Sequence, residues 1–576
     1  MTTSRRNFLK TLAAAGAAGF PAARLLAAAR GGAADPYEVA DYGNVTLLHI
    51  TDTHAQLEPV WWREPDTNIG VGAAAGRPPH LTGGHAERYY GLSRGSKEAY
   101  AADCLDFLEL AHRYGRVGGF AQLATLVKRY RGERAGKVLL LDGGDSWHGS
   151  ATALWTKGAD MVGAQNLLGV DATVGHWEFT YGEKRVEEIV KHELTFPFIS
   201  QNVFTQPWGD PVFPPYIIRE VGGYAIAVIG QSFPYTPIAN PRYLIPNWSF
   251  GIHARRLQKV VEECRERHRA DCVVLLSHNG ADVDIKLAGE VKGIDIILGG
   301  HTHDFMGPRP TLVGRTVIIN ASTNGKVLAR FDLDLGRGRL NGYRFHYLPV
   351  LADLLAEDQA MAAYIRRVRA PHEARLAEPL CVTESLLYRR GNFNGPLDQL
   401  LVTALMEEMD CEAAFSPGFR WGPCKLPGET ITFEDVMAQT AITYPQVTVS
   451  YYSGEEVKSI MEQIADNLFN KDPYYVQGGD MVRVGNVQYV IDPAAGYPHY
   501  IRDLSIGGKP VEAQKKYKFA GWASVTAPVE GEPVWEVYAR WLKRRKRVKV
   551  ERLDLPRLTG DMKGNPGIAY PRVYGI

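Results

Sequence analysis

The sequence predicts an α/β protein with two large domains, and three features of the chain support this prediction. From Asn44 to about Leu335, short β-branched or Leu-rich runs alternate with helical stretches, the pattern of an α/β core. Residues 353–377 then carry Leu, Ala and Arg at helical spacing, which is typical of a linker helix. A second mixture of helical and strand-like pieces follows. We therefore predict a first domain at 40–350, a linker helix at 351–379 and a second α/β domain at 380–576.

Five apolar runs are the clearest predicted strands of the first domain. They are Val45–Ile50, Val138–Leu141, Ala225–Ile229, Val273–Leu276 and Ile294–Leu298.

An insertion at about 58–117 breaks the alternation of the first domain. It is rich in Gly, Arg, Pro and Trp, so we expect a long loop. Loops of this length are usually either functional or disordered. Trp61, Trp62 and Arg63 favour an ordered one.

The second domain combines predicted helices with predicted strands. The helices are Leu397–Met409 and Glu455–Asn470, and the strands are Thr448–Tyr452 and Tyr517–Ala520.

The N-terminus predicts export. Ser4-Arg5-Arg6-Asn7-Phe8-Leu9-Lys10 precedes an Ala-rich run that reaches about Ala29, the pattern of a twin-arginine signal at residues 1–30. Gly16, Gly19, Pro21 and Arg24 interrupt the run, so we expect no membrane span there. The predicted location is the periplasm.

Charge and cysteine content exclude several classes of function. The formal net charge is only +1, so nothing points to nucleic acid or a membrane surface. None of the six cysteines forms a C-x-x-C pair, which argues against a zinc ribbon or a thioredoxin-type site. Cys411 and Cys424 could close a short disulfide loop, but the cysteines fit isolated buried thiols at least as well.

Polar motifs follow the predicted strands where each strand ends. They are Asp52-Thr53-His54, Gly143-Gly144-Asp145, Gly175-His176-Trp177-Glu178, Ser277-His278-Asn279-Gly280 and Gly299-Gly300-His301-Thr302-His303-Asp304. Open α/β folds place their sites at the carboxyl ends of strands, so these five loops should converge. A lone His or Asp here is usually structural, but the full set in this order is far more specific.

The residue types in these motifs suit two divalent metal ions. Metals about 3.5–4 Å apart need a carboxylate that bridges them, and imidazoles and further oxygen donors to complete each coordination shell. Asp145 is the natural bridge.

The motifs resemble those of the 5′-nucleotidase branch of the calcineurin-like metallophosphoesterases. The resemblance extends to Gly118-Gly119-Phe120-Ala121, Ser200-Gln201-Asn202-Val203 and Ile431-Thr432-Phe433-Glu434-Asp435-Val436. It implies a β-sandwich flanked by helices that holds the metals, and a second domain that supplies the substrate pocket. It further implies that Asp52, His54, Asp145 and His303 form one metal shell, and that Asp145, His176, His278 and His301 form the other.

The third motif departs from that family's usual pattern. The family has Gly-Asn-His-Glu followed by Phe-Asp, in which the His supports the transition state and the Asp orients it. Here the sequence is Gly175-His176-Trp177-Glu178-Phe179-Thr180, so Trp177 and Thr180 replace this pair. A leaving group that departs without a proton tolerates the loss, which favours sulfur esters over phosphate esters.

The full pattern is similar to the thiosulfohydrolases of bacterial Sox thiosulfate-oxidation systems. The shared segments include Asp52-Thr53-His54-Ala55-Gln56-Leu57, Arg63-Glu64-Pro65, Gly76-Arg77-Pro78-Pro79-His80-Leu81 and the third motif. The resemblance implies hydrolysis of a cysteine S-thiosulfonate on the carrier SoxY, in a SoxYZ complex, by a hydroxide that two metals activate. It implies manganese first, and the ligand types also suit zinc or iron.

These comparisons of motifs assign roles to single residues. Asp145, His176, Trp177 and Arg420 are the catalytic candidates, and Arg420, Asn202, Trp177 and Arg63 are the substrate-binding candidates. Arg420 lies in a segment that aligns with a family loop whose Arg faces the substrate. A periplasmic 5′-nucleotidase or related phosphoesterase and a non-catalytic metal-binding Sox scaffold protein are the alternatives.

Overall fold

The structure is a computed structural model that describes residues 35–576. The predicted signal at 1–30 lies outside the described residues. Within 35–576, no helix is both long and apolar enough to cross a membrane.

The first domain contains thirteen strands in the described chain. In chain order they are β1 (Val45–Ile50), β2 (Val138–Asp142), β3 (Ala172–Thr173), β4 (Phe204–Thr205), β5 (Tyr216–Val221), β6 (Tyr224–Gln231), β7 (Trp248–Ser249), β8 (Cys272–Ser277), β9 (Ile296–Gly299), β10 (Thr311–Val313), β11 (Thr316–Asn320), β12 (Val327–Gly336) and β13 (Arg339–Pro349).

Most of these strands belong to two mixed sheets. One sheet has the order β13-β12-β1-β2-β3, with β1, β2 and β3 parallel. The other has the order β10-β11-β9-β8-β6-β5, with β6, β8, β9 and β11 parallel. The parallel strands place their carboxyl ends, and the loops that follow them, at one end of each sheet.

The helices of the first domain and its insertion lie around the two sheets. In chain order they are α1 (Gly84–Tyr90), α2 (Lys97–Ala102), α3 (Phe107–Tyr114), α4 (Phe120–Glu133), α5 (Ala151–Thr156), α6 (Ala159–Leu168), α7 (Glu183–Glu188), α8 (Thr236–Ala239), α9 (Ala254–Glu266) and α10 (Ala281–Glu290).

The core of the first domain has three layers of buried apolar side chains. Between the sheets, Leu47 and Leu141 of the first sheet pack with Val228 and Leu276 of the second. Helices α4 and α6 cover the outer face of the first sheet, and α9 and α10 cover that of the second. The strands read as continuous apolar runs because both of their faces are covered. This arrangement confirms the predicted β-sandwich flanked by helices.

The insertion is ordered, as Trp61, Trp62 and Arg63 indicate, and it contains helices that the sequence analysis does not predict. Helices α1, α2 and α3 lie within it, and Trp62 is only 1% exposed. Val60 pairs with Val117 in an antiparallel bridge, which joins the beginning of the insertion to its end. A buried ion pair between Glu64 and Lys326 of the first domain holds it in place. The helices are too short to give a clear periodic signal in the sequence.

Two helices stand where the sequence predicts one linker helix. They are α11 (Gln359–Arg369) and α12 (Glu373–Leu376). Pro371 separates them, since proline lacks the N–H that a continuing helix needs and its ring clashes with the preceding turn.

The second domain is the predicted mixture of strands and helices. Its strands are β14 (Pro379–Thr383), β15 (Ala413–Ser416), β16 (Thr430–Thr432), β17 (Val447–Ser453), β18 (Arg483–Gly485), β19 (Val487–Ile491), β20 (Ile501–Ile506), β21 (Lys509–Pro510), β22 (Lys516–Trp522), β23 (Arg547–Val548) and β24 (Arg557–Leu558). Its helices are α13 (Pro396–Met409), α14 (Phe433–Thr440), α15 (Gly454–Phe469) and α16 (Val534–Arg545). The central sheet has the order β17-β22-β15-β18.

All six cysteines are free thiols. The disulfide that the sequence allows between Cys411 and Cys424 is therefore not formed, and burial raises the pKa of the Cys424 thiol to about 12.

Candidate metal centre

The predicted ligands come from five loops that begin where five strands end. The loops follow β1, β2, β3, β8 and β9, and they carry Asp52, His54, Asp145, His176, His278, His301 and His303. All seven side chains are buried. The two sheets thus deliver every predicted ligand to one end of the sandwich.

Five of these residues have a left-handed backbone, which side chains other than Gly rarely adopt. Their φ angles are 50° for Asp52, 44° for His54, 57° for Asp145, 76° for His301 and 58° for His303. Such conformations cost about 1–3 kcal/mol each and cluster at functional sites.

The seven side chains form two groups that share one carboxylate. In each group the potential ligand atoms lie within 4.8 Å of one another. The groups are Asp52, His54, Asp145 and His303, and Asp145, His176, His278 and His301. These are the two shells that the motifs predict.

Asp145 lies between the two groups. Its Oδ2 is 3.3 Å from His176 Nδ1 and 3.1 Å from His278 Nε2, both in one group. The same oxygen is 3.8 Å from His54 Nε2 in the other group. Its Oδ1 accepts a hydrogen bond from the Trp177 N–H, which fixes the orientation of the carboxylate. One carboxylate oxygen therefore faces both groups.

The positions of the imidazole nitrogens are better explained by binding to divalent cations than by direct contacts between the rings. His54 Nε2 lies 2.9 Å from His303 Nε2, and His303 Nε2 lies 3.3 Å from Asp52 Oδ1. Both ring nitrogens of His301 and Nε2 of His176 have no hydrogen-bond partner, although all are buried. Buried polar atoms without partners are rare in folded proteins, and a cation is one explanation. His and Asp donors suit Mn, Fe and Zn.

Burial keeps most of these imidazoles neutral, as metal ligands must be. It lowers the pKa of His54 to about 3, and it holds the pKa values of His301 and His303 well below the ordinary value. His278 differs. Burial alone would lower its pKa, but the carboxylates of Asp145 and Asp52 raise it to about 10. A cation at this position would displace the His278 proton, so metal affinity should fall in acid.

Two further residues to which the sequence analysis assigns no role, Glu178 and His148, pack beside the candidate ligands. Glu178 accepts hydrogen bonds from the backbone N–H groups of His176 (2.8 Å) and Ser146 (2.7 Å), and so joins the second and third loops. His148, in the second loop, stacks on Trp177 at 4.8 Å between ring centres. Its position three residues after Asp145 is a signal that sequence reasoning passed over.

A cavity of about 390 Å³ opens from the metal centre between the two domains. Asp145, His176, His301 and His303 form its inner end, and aromatic rings form much of its wall. The rings are those of Trp177, Phe233, Phe419 and Trp421. Phe233 stacks on His301 at 4.1 Å, and Phe419 stacks on Trp421 at 4.0 Å. The cavity thus has polar and charged residues at its inner end and mainly apolar walls.

Arg420 lines this cavity, whereas Asn202 and Arg63 do not. Arg420 donates from Nη2 to the Gly479 carbonyl oxygen at 2.6 Å, its Nε lies 3.6 Å from Asp480 Oδ1, and its Nη1 has no hydrogen-bond partner. The Asn202 amide donates to the carbonyl oxygens of Ser232 and Gly251, so it is used within the fold. Arg63 lies in the insertion and pairs with Asp66 at 3.1 Å. The structure therefore brings only Arg420 and Trp177, among the substrate-binding candidates, to the cavity.

Family comparisons divide the chain as the fold does. Residues 45–305 match the calcineurin-like phosphoesterase family, and residues 385–528 match the 5′-nucleotidase C-terminal domain. Residues 2–22 match the twin-arginine translocation pathway signal sequence, which directs the chain to the periplasm.

A solved structure with similar sequence and fold is the sulfate thiohydrolase SoxB of Thermus thermophilus in complex with glycerol. It is 39% identical with a TM-score of 0.87, and the match covers 91% of this chain and 98% of that chain. A 5′-nucleotidase precursor, also from Thermus thermophilus, shares the fold at 21% identity, with a TM-score of 0.70, and the match covers 90% of this chain and 99% of that chain.

Curated relatives include animal 5′-nucleotidases. The rat enzyme is 32% identical over 44% of this chain and 47% of its own length, and the bovine enzyme is 28% identical over 62% and 57%. The chain spans about half the length of these curated relatives.

Proposed function

The chain belongs to the SoxB family of calcineurin-like phosphoesterases, and we propose that it is a periplasmic thiosulfohydrolase. The proposed substrate is a cysteine S-thiosulfonate on the carrier protein SoxY, within a SoxYZ complex. In the proposed reaction, a water oxygen bonds to the terminal sulfone sulfur and the sulfur–sulfur bond breaks. Its electron pair stays on the carrier as a persulfide, and sulfate is released.

Two divalent ions, with manganese as our first choice, would be held by the two side-chain groups that share Asp145. When bound, such ions lower the pKa of water from 15.7 toward about 7 and neutralise negative charge on the substrate. Asp145, which belongs to both groups, would contribute to holding both ions. The Trp177 N–H keeps that carboxylate in place.

The observation that carries the proposal is that, apart from the candidate metal ligands, no described side chain at the cavity is free to protonate a leaving group. Trp177 stands where phosphatases of the wider family have a catalytic His. Arg483 and Arg420 outweigh the effect of burial and lower the pKa of Asp480, so this carboxyl group is ionised.

The two cavity tyrosines are also poor acids. Burial raises the pKa of Tyr235 to about 12 and that of Tyr444 well above its ordinary value. Both hydroxyls already donate to backbone carbonyl oxygens, Tyr235 to Tyr474 and Tyr444 to Ala239. An alkoxide is strongly basic and leaves poorly without a proton. A persulfide leaves readily as the anion, so this site suits a sulfur–sulfur bond.

The cavity also suits a terminal sulfonate. Arg420 Nη1 has no hydrogen-bond partner, and a guanidinium makes strong charge-assisted hydrogen bonds to oxyanions. The aromatic wall is apolar, and a charge-assisted contact is stronger in an apolar environment than in water.

A periplasmic 5′-nucleotidase is the second candidate, because the curated relatives carry that name. The proposed assay separates the two functions. Manganese-loaded protein is incubated with S-thiosulfonated SoxYZ and, separately, with AMP, and sulfate and phosphate are measured. We expect sulfate from the carrier and little phosphate; phosphate from AMP without sulfate from the carrier would establish the second candidate instead.

Replacement of Arg420 tests the sulfonate contact. Arg420→Ala should raise the KM for S-thiosulfonated carrier about 10- to 100-fold, the range for losing a hydrogen bond to a charged group of about 1.5–3 kcal/mol. Metal content, measured by elemental analysis, should not change. An unchanged KM would place Arg420 outside the substrate site.

A further inference from the structure

The cavity that opens from the metal centre, which we call the substrate cavity, adjoins a second, smaller cavity at its inner end. This inner cavity, of about 40 Å³, shares His301, Arg420 and Gly478 with the substrate cavity. Arg390 lines both the inner cavity and a third one of about 210 Å³, which we call the outer cavity. The substrate and outer cavities have no lining residue in common. A row of three cavities thus leads away from the metal centre.

One arginine stands at each stage of this row. Arg420 lies between the substrate and inner cavities, Arg390 between the inner and outer cavities, and Arg63 in the outer cavity. Their side chains are 11%, 5% and 6% exposed, respectively. Arginines placed one after another along a path can each bind a small anion in turn.

Two of the three arginines retain buried donors without partners. Arg420 Nη1 and Arg390 Nε make no hydrogen bond, and Arg420 Nε makes none either but lies 3.6 Å from Asp480 Oδ1. Arg390 uses Nη2 for the Thr302 carbonyl oxygen and for Asp304, each at 3.3 Å. Its Nη1 lies 3.7 Å from Asp480. The paired carboxylates weaken the hold of each arginine on an anion. Passage through a row of sites requires such weak, repeated binding.

The two ends of the row open at different places. At the substrate cavity, Ile238 is 50% exposed and Val525 is 36% exposed. At the outer cavity, Val573 is 57% exposed and Tyr570 is 39% exposed. A ligand that fills the first opening therefore leaves the second one free.

We infer that the inner and outer cavities are an exit for the small oxyanion product, from Arg420 past Arg390 to Arg63. This inference rests on the proposed function, in which a protein-bound substrate fills the first opening. Sulfate is then formed at the inner end of the substrate cavity, beside Arg420. At that moment the persulfide end of the carrier still blocks the opening of this cavity. The row of arginines gives the dianion another way out, and Arg63 serves the product rather than the substrate.

The order of product release tests this exit in the unaltered protein. If sulfate leaves first, through its own opening, added sulfate binds while the carrier is still bound. We expect sulfate to lower kcat at saturating S-thiosulfonated carrier, a noncompetitive pattern. If sulfate leaves last, through the opening that the carrier has vacated, inhibition is purely competitive with carrier. That result would overturn the exit.

A matched pair of variants tests the route itself. Val573→Trp narrows the opening of the outer cavity, and Val525→Trp narrows that of the substrate cavity. In Val573→Trp we expect an undiminished first turnover of sulfate in rapid-mixing experiments, then a steady-state kcat about tenfold lower, because product release becomes limiting. Val525→Trp should raise the KM for carrier without a burst.

Equal kcat and no burst in Val573→Trp, together with competitive inhibition of the unaltered protein, would show that sulfate leaves by the substrate opening. Failure of the unaltered protein to release any sulfate from the carrier would instead contradict the proposed function. The two failures are therefore distinguishable.

Discussion

At the scale of single residues, the third motif determines what the metal centre lacks. Trp177 and Thr180 lie on a 3-10 turn, Trp177–Tyr181, where side chains three positions apart lie over one another. Trp177 stacks on His148 and lines the cavity, while the Thr180 hydroxyl lies 2.7 Å from that of Thr443 in the second domain. The position of the family's catalytic pair is thus occupied by a wall residue and an interdomain contact.

Restoring that pair should change the leaving groups that the site accepts. Trp177→His with Thr180→Asp places both side chains on one face of the turn. We expect phosphate-ester hydrolysis to rise and activity on S-thiosulfonated carrier to fall, since acid–base groups contribute about 10²–10⁴-fold. The assay is phosphate and sulfate release at fixed metal content. A folded, dimetallic double variant with neither change would mean that leaving-group chemistry did not select Trp177.

Asp145 should be the most sensitive ligand. Asp145→Asn replaces a carboxylate that faces both side-chain groups with a neutral amide, a poor bridge between two cations. We expect the variant to lose most of its activity and at least one metal per chain, measured by elemental analysis. His278→Ala and His301→Ala are the comparison variants, and they should chiefly empty the group to which they belong. Two metals and near-normal turnover in Asp145→Asn would exclude the bridging role.

At the scale of elements, the insertion is tied to both domains. Its Glu64 pairs with buried Lys326 of the first domain, and its Trp61 and Thr67 form bridges with Cys424 and Ile568 of the second. Asn68 also donates to Asp304, directly after the candidate ligand His303, at 3.0 Å. The insertion therefore supports the loop after β9, and Arg63 and Asp66 are part of this structure.

Asp103, at the end of α2, should make the stability of the insertion depend on pH. Burial and nearby Glu87 raise its pKa to about 7, and its Oδ2 has no partner. The pKa of Asp103 in the folded state exceeds the ordinary value of about 3.9. The protonated side chain therefore makes its full contribution to the free energy of unfolding below pH 4. This contribution is lost as the pH rises through 7. Asp103→Asn should therefore raise the free energy of unfolding at pH 8 by roughly 2–4 kcal/mol.

The measurement is chemical denaturation of Asp103→Asn and the unaltered protein at pH 4 and pH 8, with little difference expected at pH 4. Asp106→Asn is the control, since the neighbouring Arg94 lowers the pKa of that exposed carboxyl group instead. Equal effects of Asp103→Asn at both pH values would contradict the predicted titration.

At the scale of the whole molecule, the two domains meet around the cavity. Tyr444 donates to the Ala239 carbonyl oxygen at 2.5 Å, and Lys286 pairs with Asp472 at 2.6 Å. With the Thr180–Thr443 contact, these bonds join the domains on several sides of the cavity. The aromatic wall exists only while the domains are docked, because Phe419 and Trp421 come from the second domain.

Removal of metal should destabilise the first domain. The buried ring nitrogens of His54 and His303 lie 2.9 Å apart and those of His301 have no hydrogen-bond partner, so bound cations would stabilise this cluster. Ligands that bind only the folded state stabilise it by about 4 kcal/mol at 1,000 times their Kd. A chelator should therefore lower the Tm and abolish sulfate release, and manganese should restore both. Calorimetry of Asp145→Asn, which should respond less, is the control; an unchanged Tm would argue against structural coupling of the metals.

The sequence by itself determined the fold class, seven of the strands and the set of candidate ligands. Asp52, His54 and Asp145 follow apolar runs directly, and parallel strands bring their carboxyl ends together, so local order in the chain predicts convergence. The coordination roles themselves stay predictions until metal is measured. Only the tertiary structure decided which distant side chains reach the cavity. Trp421 and Arg420 reach it by domain docking, whereas Asn202 and Arg63 point elsewhere. Such placements depend on packing between segments hundreds of residues apart, which no local pattern encodes.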